Sequence, residues 1–101
     1  NISQLYQHLH PSIVRLISMT IDAAHHHGKR VGMCGEMAGD VNCVPLLLGL
    51  GLDEFSMSGD SISSVKNCVR ALSHLKCREA ASQCLTAGTA AEVSELLEAL
   101  R

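Results

Sequence analysis

Aromatic residues are almost missing from this chain: Tyr6 and Phe55 are the whole set, with no tryptophan. Single-stranded nucleic acid is gripped by stacking bases on aromatic faces, so a platform of that kind is excluded. An excess of basic charge is missing too. Eight Lys and Arg against ten Asp and Glu leave a formal charge of −2, which lacks the electropositive footprint that a phosphate backbone calls for. Long hydrophobic runs are also missing. The most apolar uncharged stretch, residues 41–52, is interrupted by Asn42, Pro45, Gly49 and Gly51 and is too short to span a bilayer. The opening residues have no basic segment leading into an apolar one, so they do not read as a secretory signal. There is no initiator methionine, from which we expect a piece of a longer protein. No Cys-x-x-Cys pair occurs, and the cysteine count is five, an odd number. A disulfide framework is therefore not expected, and a reducing, cytoplasmic setting fits better.

What remains is a chain of 101 residues, 47% hydrophobic and 18% charged, which is enough to build a core and too apolar for a disordered tail. Pro11 suits the first position of a helix, and Ile13, Leu16, Ile17, Ile21 and Ala24 then recur on one helical face. Gly28 is placed to cap that helix. Residues 31–34 are short, apolar and bounded by glycine, as in a buried parallel strand. Residues 44–50 read as a short helix ended by Gly49 and Gly51, and residues 52–58 as a second strand. Ile62, Val65, Val69 and Leu72 mark a third helical face. Ala80, Ala81, Cys84 and Leu85 mark a fourth, stopped by Gly88. Thr89 and Glu92 have capping-box spacing, ahead of Val93, Leu96, Leu97 and Leu100. The predicted order is helix, strand, helix, strand and three helices. Two parallel strands do not make a domain, because a parallel sheet is normally covered on both faces. The expected class is α/β, as part of a larger parallel-sheet protein.

In parallel α/β folds, chemistry gathers at the carboxyl ends of strands. Residues 33–40 follow the first predicted strand and place Cys34, Gly35, Glu36 and Asp40 there. Cys34 is open to several roles: nucleophile, metal ligand, proton donor or acceptor, or simply a buried strand-end cysteine. A nucleophile would want a base, and no histidine lies nearby in sequence. Ser56 and Ser58 follow the second strand and read as helix-capping residues. His25, His26 and His27 point in different directions around a helix and read as a solvated helix end, not a metal tract. His74, Cys77 and Cys84 match no compact zinc pattern. Cys68 and Cys84 read as small core residues, and roles beyond packing stay open for Cys43, Cys68, Cys77 and Cys84. No residue of the chain is assigned as a metal ligand.

Residues 32–40 (GMCGEMAGD) and 45–58 (PLLLGLGLDEFSMS) closely resemble the phosphoenolpyruvate-protein phosphotransferases, enzyme I of the bacterial sugar phosphotransferase system. Leu5-Tyr6-Gln7, His10-Pro11-Ser12 and residues 21–25 add to the resemblance, which thins after residue 58. The Cys-Gly-Glu motif is shared with pyruvate phosphate dikinase and phosphoenolpyruvate synthase. The resemblance implies a phosphoenolpyruvate (PEP)-binding (β/α)8 TIM barrel, of which residues 1–101 form the C-terminal portion and an incomplete domain. It implies an activity as well. PEP, held on Mg2+, gives its phosphoryl group to a histidine on another domain, which passes it to the carrier protein HPr. Cys34 is then implied as the acid that protonates the pyruvate enolate, with Gly35 and Glu36 shaping and supporting the loop. A free thiol titrates at roughly 8.5 and so carries a proton at neutral pH. The Mg2+ ligands, the arginines that clamp substrate and the phosphorylated histidine are expected outside this chain, and the whole enzyme is expected to be a cytoplasmic homodimer. Val41 departs from the acidic residue common after Gly-Asp. The alternatives are a dikinase or synthase fragment, or a stand-alone dimerisation module without catalysis. A nitrogen-regulatory paralogue is also compatible as the source.

Overall fold

In the computed structural model, which describes residues 2–100, the order is α1(Ile2–His8), α2(Pro11–His26), β1(Gly32–Cys34), α3(Val44–Leu50), β2(Glu54–Ser56), α4(Gly59–Ala71), α5(His74–Cys84) and α6(Ala90–Glu98). This is the helix-rich α/β arrangement expected from the sequence, with α1 added at the front. None of the residues of α1 is buried, yet Ile2, Leu5, Tyr6 and Leu9 have the spacing of one helical face, a signal that could have announced it.

Helix α2 begins as Pro11 predicts, and His10 caps it by accepting the Ser12 amide on Nδ1 at 3.1 Å. It ends in a two-bond reverse turn. Gly28 (φ 69°) donates to the His25 carbonyl, and Lys29 donates to the Ala24 carbonyl at 2.8 Å. The buried stripe differs from the predicted one. Pro11, Val14, Ser18 and Ile21 face the core, while Leu16 is 59% exposed and Ile13 is exposed as well. Apolar residues occur on more than one side of α2, so periodicity alone picked a stripe partly turned outward. Arg15 ties α2 to the far end of the chain by donating to the carbonyls of Leu85 and Ala87, each at 3.0 Å.

Strands β1 and β2 pair in parallel, with Gly32 opposite Glu54, Met33 opposite Phe55 and Cys34 opposite Ser56. They are shorter than predicted. Met33 and Phe55 point into the helical core. The other face carries Gly32, Cys34, Glu54 and Ser56, all exposed. Within this chain one face of the pair is open, and its residues are small or polar. Asp53 anchors the start of β2. Its Oδ2 accepts from the Val31 amide at 2.7 Å and meets His25 Nε2 at 2.7 Å. These two bonds hold the Asp53 carboxyl below the usual carboxylate range. The histidine run is exposed at the end of α2, as predicted, and His25 also ties that end to the sheet.

The core centres on α3 and α5. Val44, Leu46 and Leu47 are fully buried. The buried side of α5 consists of Cys77, Ala80, Ala81 and Cys84. Such small side chains let two helix backbones approach closely. Gly49 is part of this contact and not a helix terminator, contrary to the prediction. It sits inside α3, and Gly51 (φ 97°) ends that helix. Both thiols are fully buried, and that burial pushes Cys84 up to about 11 and raises Cys77. Cys68 is only half-buried.

Helix α6 starts as the Thr89–Glu92 spacing predicts. Thr89 Oγ1 accepts from the Glu92 amide at 3.1 Å. The return bond is displaced by one residue, since Glu92 accepts from the Gly88 amide at 3.0 Å. Thr89→Ala is expected to cost about 1 kcal/mol, read as a lowered urea midpoint with an unchanged slope. A midpoint equal to wild type would show the cap to be redundant with the Gly88 contact.

Candidate active site

The carboxyl ends of β1 and β2 open onto one cleft of about 630 Å³. Both loops singled out in the sequence reach it. Cys34, the last residue of β1, lines the cleft with an exposed side chain. It is therefore not a buried strand-end cysteine. Ser56, its partner across the ladder, lines the cleft too.

The backbone turns away immediately after Cys34 because Gly35 has φ 104°. A Cβ at Gly35 would meet nothing within 4 Å. Conformation, not space, requires glycine here. Residues 36–40 then form two tight turns, with Gly39 donating to the Glu36 carbonyl and Asp40 to the Met37 carbonyl. Ala38 is fully buried beneath them. A Cβ on Gly39 would come to 3.2 Å from Met57 Cβ, so the two loops are in close contact. Glu36 accepts a hydrogen bond from the Gln4 side chain, which fixes it against α1. Asp40 Oδ1 accepts from the amide of Asn42 at 2.9 Å and from its side chain at 3.1 Å.

Ser58 occupies the N-cap position of α4 as predicted, but its side chain does not cap the backbone. Its hydroxyl bonds Asp60 instead and holds that carboxyl low. Ser56 and Ser58 both line the cleft, so their place is in the site rather than in capping. Two further lining residues, Gln4 and His8, come from α1, which the predicted order of elements leaves out. No spacing rule links them to Cys34; only the docking of α1 does.

Among the described residues, no Lys or Arg lines this cleft. An anionic ligand would have to find its cations elsewhere. The same holds for Mg2+, which demands near-octahedral oxygen coordination. The cleft offers Glu36, which is bonded to Gln4, and Asp40, which is bonded to Asn42. Those two carboxylates do not make a cage for that ion. The set His74, Cys77 and Cys84 does not converge on an ion either: among the described residues, the donors close enough to do so are His8, Asp40 and Cys43. No described helix is long and apolar enough to cross a membrane.

The family model "PEP-utilising enzyme, PEP-binding domain" matches residues 1–74. The chain is 54% identical over 97 residues to a phosphoenolpyruvate-protein phosphotransferase of Listeria monocytogenes, covering 96% of this chain. It is 47% identical over 97 residues to that of Staphylococcus carnosus, again over 96% of the chain. It is 50% identical over 96 residues, 95% of the chain, to that of Buchnera aphidicola. The chain spans 17% of the length of each of these curated relatives. The matched segment contains both strands and every residue named above in the cleft, and on that ground the chain belongs to the PEP-utilising enzymes, through their PEP-binding domain.

Proposed function

We propose that residues 1–101 are the C-terminal part of a PEP-binding (β/α)8 barrel in a phosphoenolpyruvate-protein phosphotransferase, and that Cys34 protonates the enolate of pyruvate. The observation that carries the role is the exposed Cys34 thiol at the carboxyl end of β1, on the wall of the cleft. The open sheet face supports the barrel reading. Gly32, Cys34, Glu54 and Ser56 are residues that further strands could cover without burying a mismatched apolar surface.

The chemistry assigned to this chain is one proton transfer. Once the phosphoryl group has left PEP for a histidine elsewhere in the protein, the remaining enolate carries negative charge at its methylene carbon. The Cys34 S–H bond breaks, a C–H bond forms, and water returns a proton to the thiolate. Gly35 turns the chain so that the thiol stays at the mouth, and Glu36, braced by Gln4, shapes the rim. The Mg2+ ligands, the cations that clamp phosphate and carboxylate, the phosphorylated histidine, the contact with HPr and the homodimer contact are assigned to parts outside this chain. The setting is cytoplasmic. The names of the relatives favour this activity over a dikinase or synthase.

The test uses the full-length protein and labelled PEP. Phosphohistidine is expected on a peptide outside residues 1–101, with one pyruvate released per phosphoryl group and no need for ATP. Label on this segment, His25 to His27 included, or a requirement for ATP, would overturn the assignment.

A further inference from the structure

The proton transfer uses Cys34 and makes no use of a second thiol beside the same cleft. Cys43 is fully buried at the N-terminus of α3. Its neighbours are His8, the last residue of α1, and Asp40, the end of the loop that follows Cys34. One donor atom from each of the three lies within 4.8 Å of the other two. We propose that His8, Asp40 and Cys43 form a binding site for one thiophilic divalent cation, Zn2+ by its donor set, in the wall of the cleft.

Three features favour a metal over simple packing. The first is the donor set. Imidazole, carboxylate and thiolate together suit zinc, whereas Mg2+ and Ca2+ take oxygen. The second is an unmet hydrogen-bonding group. Nδ1 of His8 is buried with no hydrogen-bond partner among the described residues, and a buried polar atom in that state calls for an explanation. The third is the support behind Asp40. Asn42 donates twice to Oδ1, which orients the carboxylate as outer-shell partners of metal ligands do. Tetrahedral zinc sets neighbouring donors about 3.5 Å apart, and donors already within 4.8 Å of one another need only a modest closure to reach that. His8 and Asp40 line the cleft. The fourth position is therefore left to water or to a small ligand from the cleft side. Binding is balanced simply: a Zn–S bond forms, the Cys43 proton leaves to water, and no electrons are exchanged.

The experiment uses the full-length protein, stripped with chelator and titrated with Co2+ as a spectroscopic stand-in for Zn2+. The expected result is a thiolate-to-cobalt charge-transfer band saturating at one equivalent and abolished by Zn2+. It is retained in Cys34→Ala and lost in Cys43→Ala and in His8→Gln. The half-buried His8 position keeps the test alive if the buried Cys43→Ala variant does not fold. Zn2+ affinity in His8→Gln is expected to fall by at least about tenfold. A magnesium-type oxygen site gives no thiolate band, so the two are distinguishable. The absence of the band, its loss in Cys34→Ala, or its persistence in His8→Gln would overturn the site.

Discussion

In the full-length protein, Cys34→Ala is expected to lower pyruvate formation from PEP by about 10²–10⁴-fold, the range contributed by a placed general acid. That corresponds to about 3–5.5 kcal/mol of barrier. Cys34 is exposed at the end of a three-residue strand. Truncating an exposed side chain changes stability by less than about 0.5 kcal/mol, so the loss belongs to chemistry and not to unfolding. Cys34→Ser separates acidity from size. A hydroxyl fills nearly the same space but gives up its proton far less readily, so the serine variant is expected to resemble alanine. Stereochemistry supplies a second readout. A proton delivered by one fixed thiol reaches one face of the enolate, whereas an enolate released to water is protonated on both. PEP carrying deuterium and tritium in defined positions at its methylene carbon, turned over in ordinary water, should give pyruvate with a chiral methyl group with the wild type and racemic pyruvate with either variant. Unchanged turnover together with retained chirality would remove Cys34 from the reaction.

The legibility of this site in the sequence follows from how each residue is placed. Cys34, Gly35, Glu36 and Asp40 fall within seven consecutive residues at a strand end, where a short apolar run meets glycine. Local rules suffice to find them. Ser56 falls at the terminus of the predicted second strand and reads as a cap, because serine at a strand end fits both roles. Its exposed place across from Cys34 depends on ladder register, which three-residue strands do not encode in an alternating pattern. Gln4 and His8 are not legible as site residues, although the spacing of Ile2, Leu5, Tyr6 and Leu9 marks the helix that carries them. They belong to a helix with no buried residue of its own, and they meet the site only through tertiary docking. The near approach of His8, Asp40 and Cys43 is lost to sequence reading for the same reason. Helices α2 to α6 stand where periodicity places them. Which side of α2 is covered does not follow from periodicity, since α2 has apolar residues on several sides and only packing decides among them.

Gly49 is the clearest case of a residue whose role reverses between sequence and structure. Within a short apolar helix it looked like a terminator. A Cβ built on it would lie 2.1 Å from the carbonyl oxygen of Cys77, 2.6 Å from that carbonyl carbon and 2.8 Å from Ala81 Cβ. Two of these are backbone atoms of α5, which cannot rotate aside as a long side chain would. Gly49→Ala therefore has two opposed effects. Removing a glycine from a helix interior favours folding by about 1 kcal/mol. Forcing a methyl group into a packed contact typically costs about 1–3 kcal/mol, and sometimes more. A clash with rigid backbone belongs at or beyond the top of that range, so the net expectation is a loss of about 2 kcal/mol or more. Gly59→Ala is the control. Gly59 is the first residue of α4, and a Cβ there meets nothing within 4 Å, so the same chemical change should be neutral or mildly stabilising. Urea unfolding of both variants decides the matter. Equal midpoints would mean that α3 and α5 do not approach through Gly49. A lowered midpoint for Gly49→Ala alone fixes that contact as the clamp between the helix joining β1 to β2 and the helices that follow. Because α3 begins directly after the Asp40 loop, the displaced helix should also disturb the cleft, and Gly49→Ala protein that remains folded is expected to turn over PEP more slowly than Gly59→Ala.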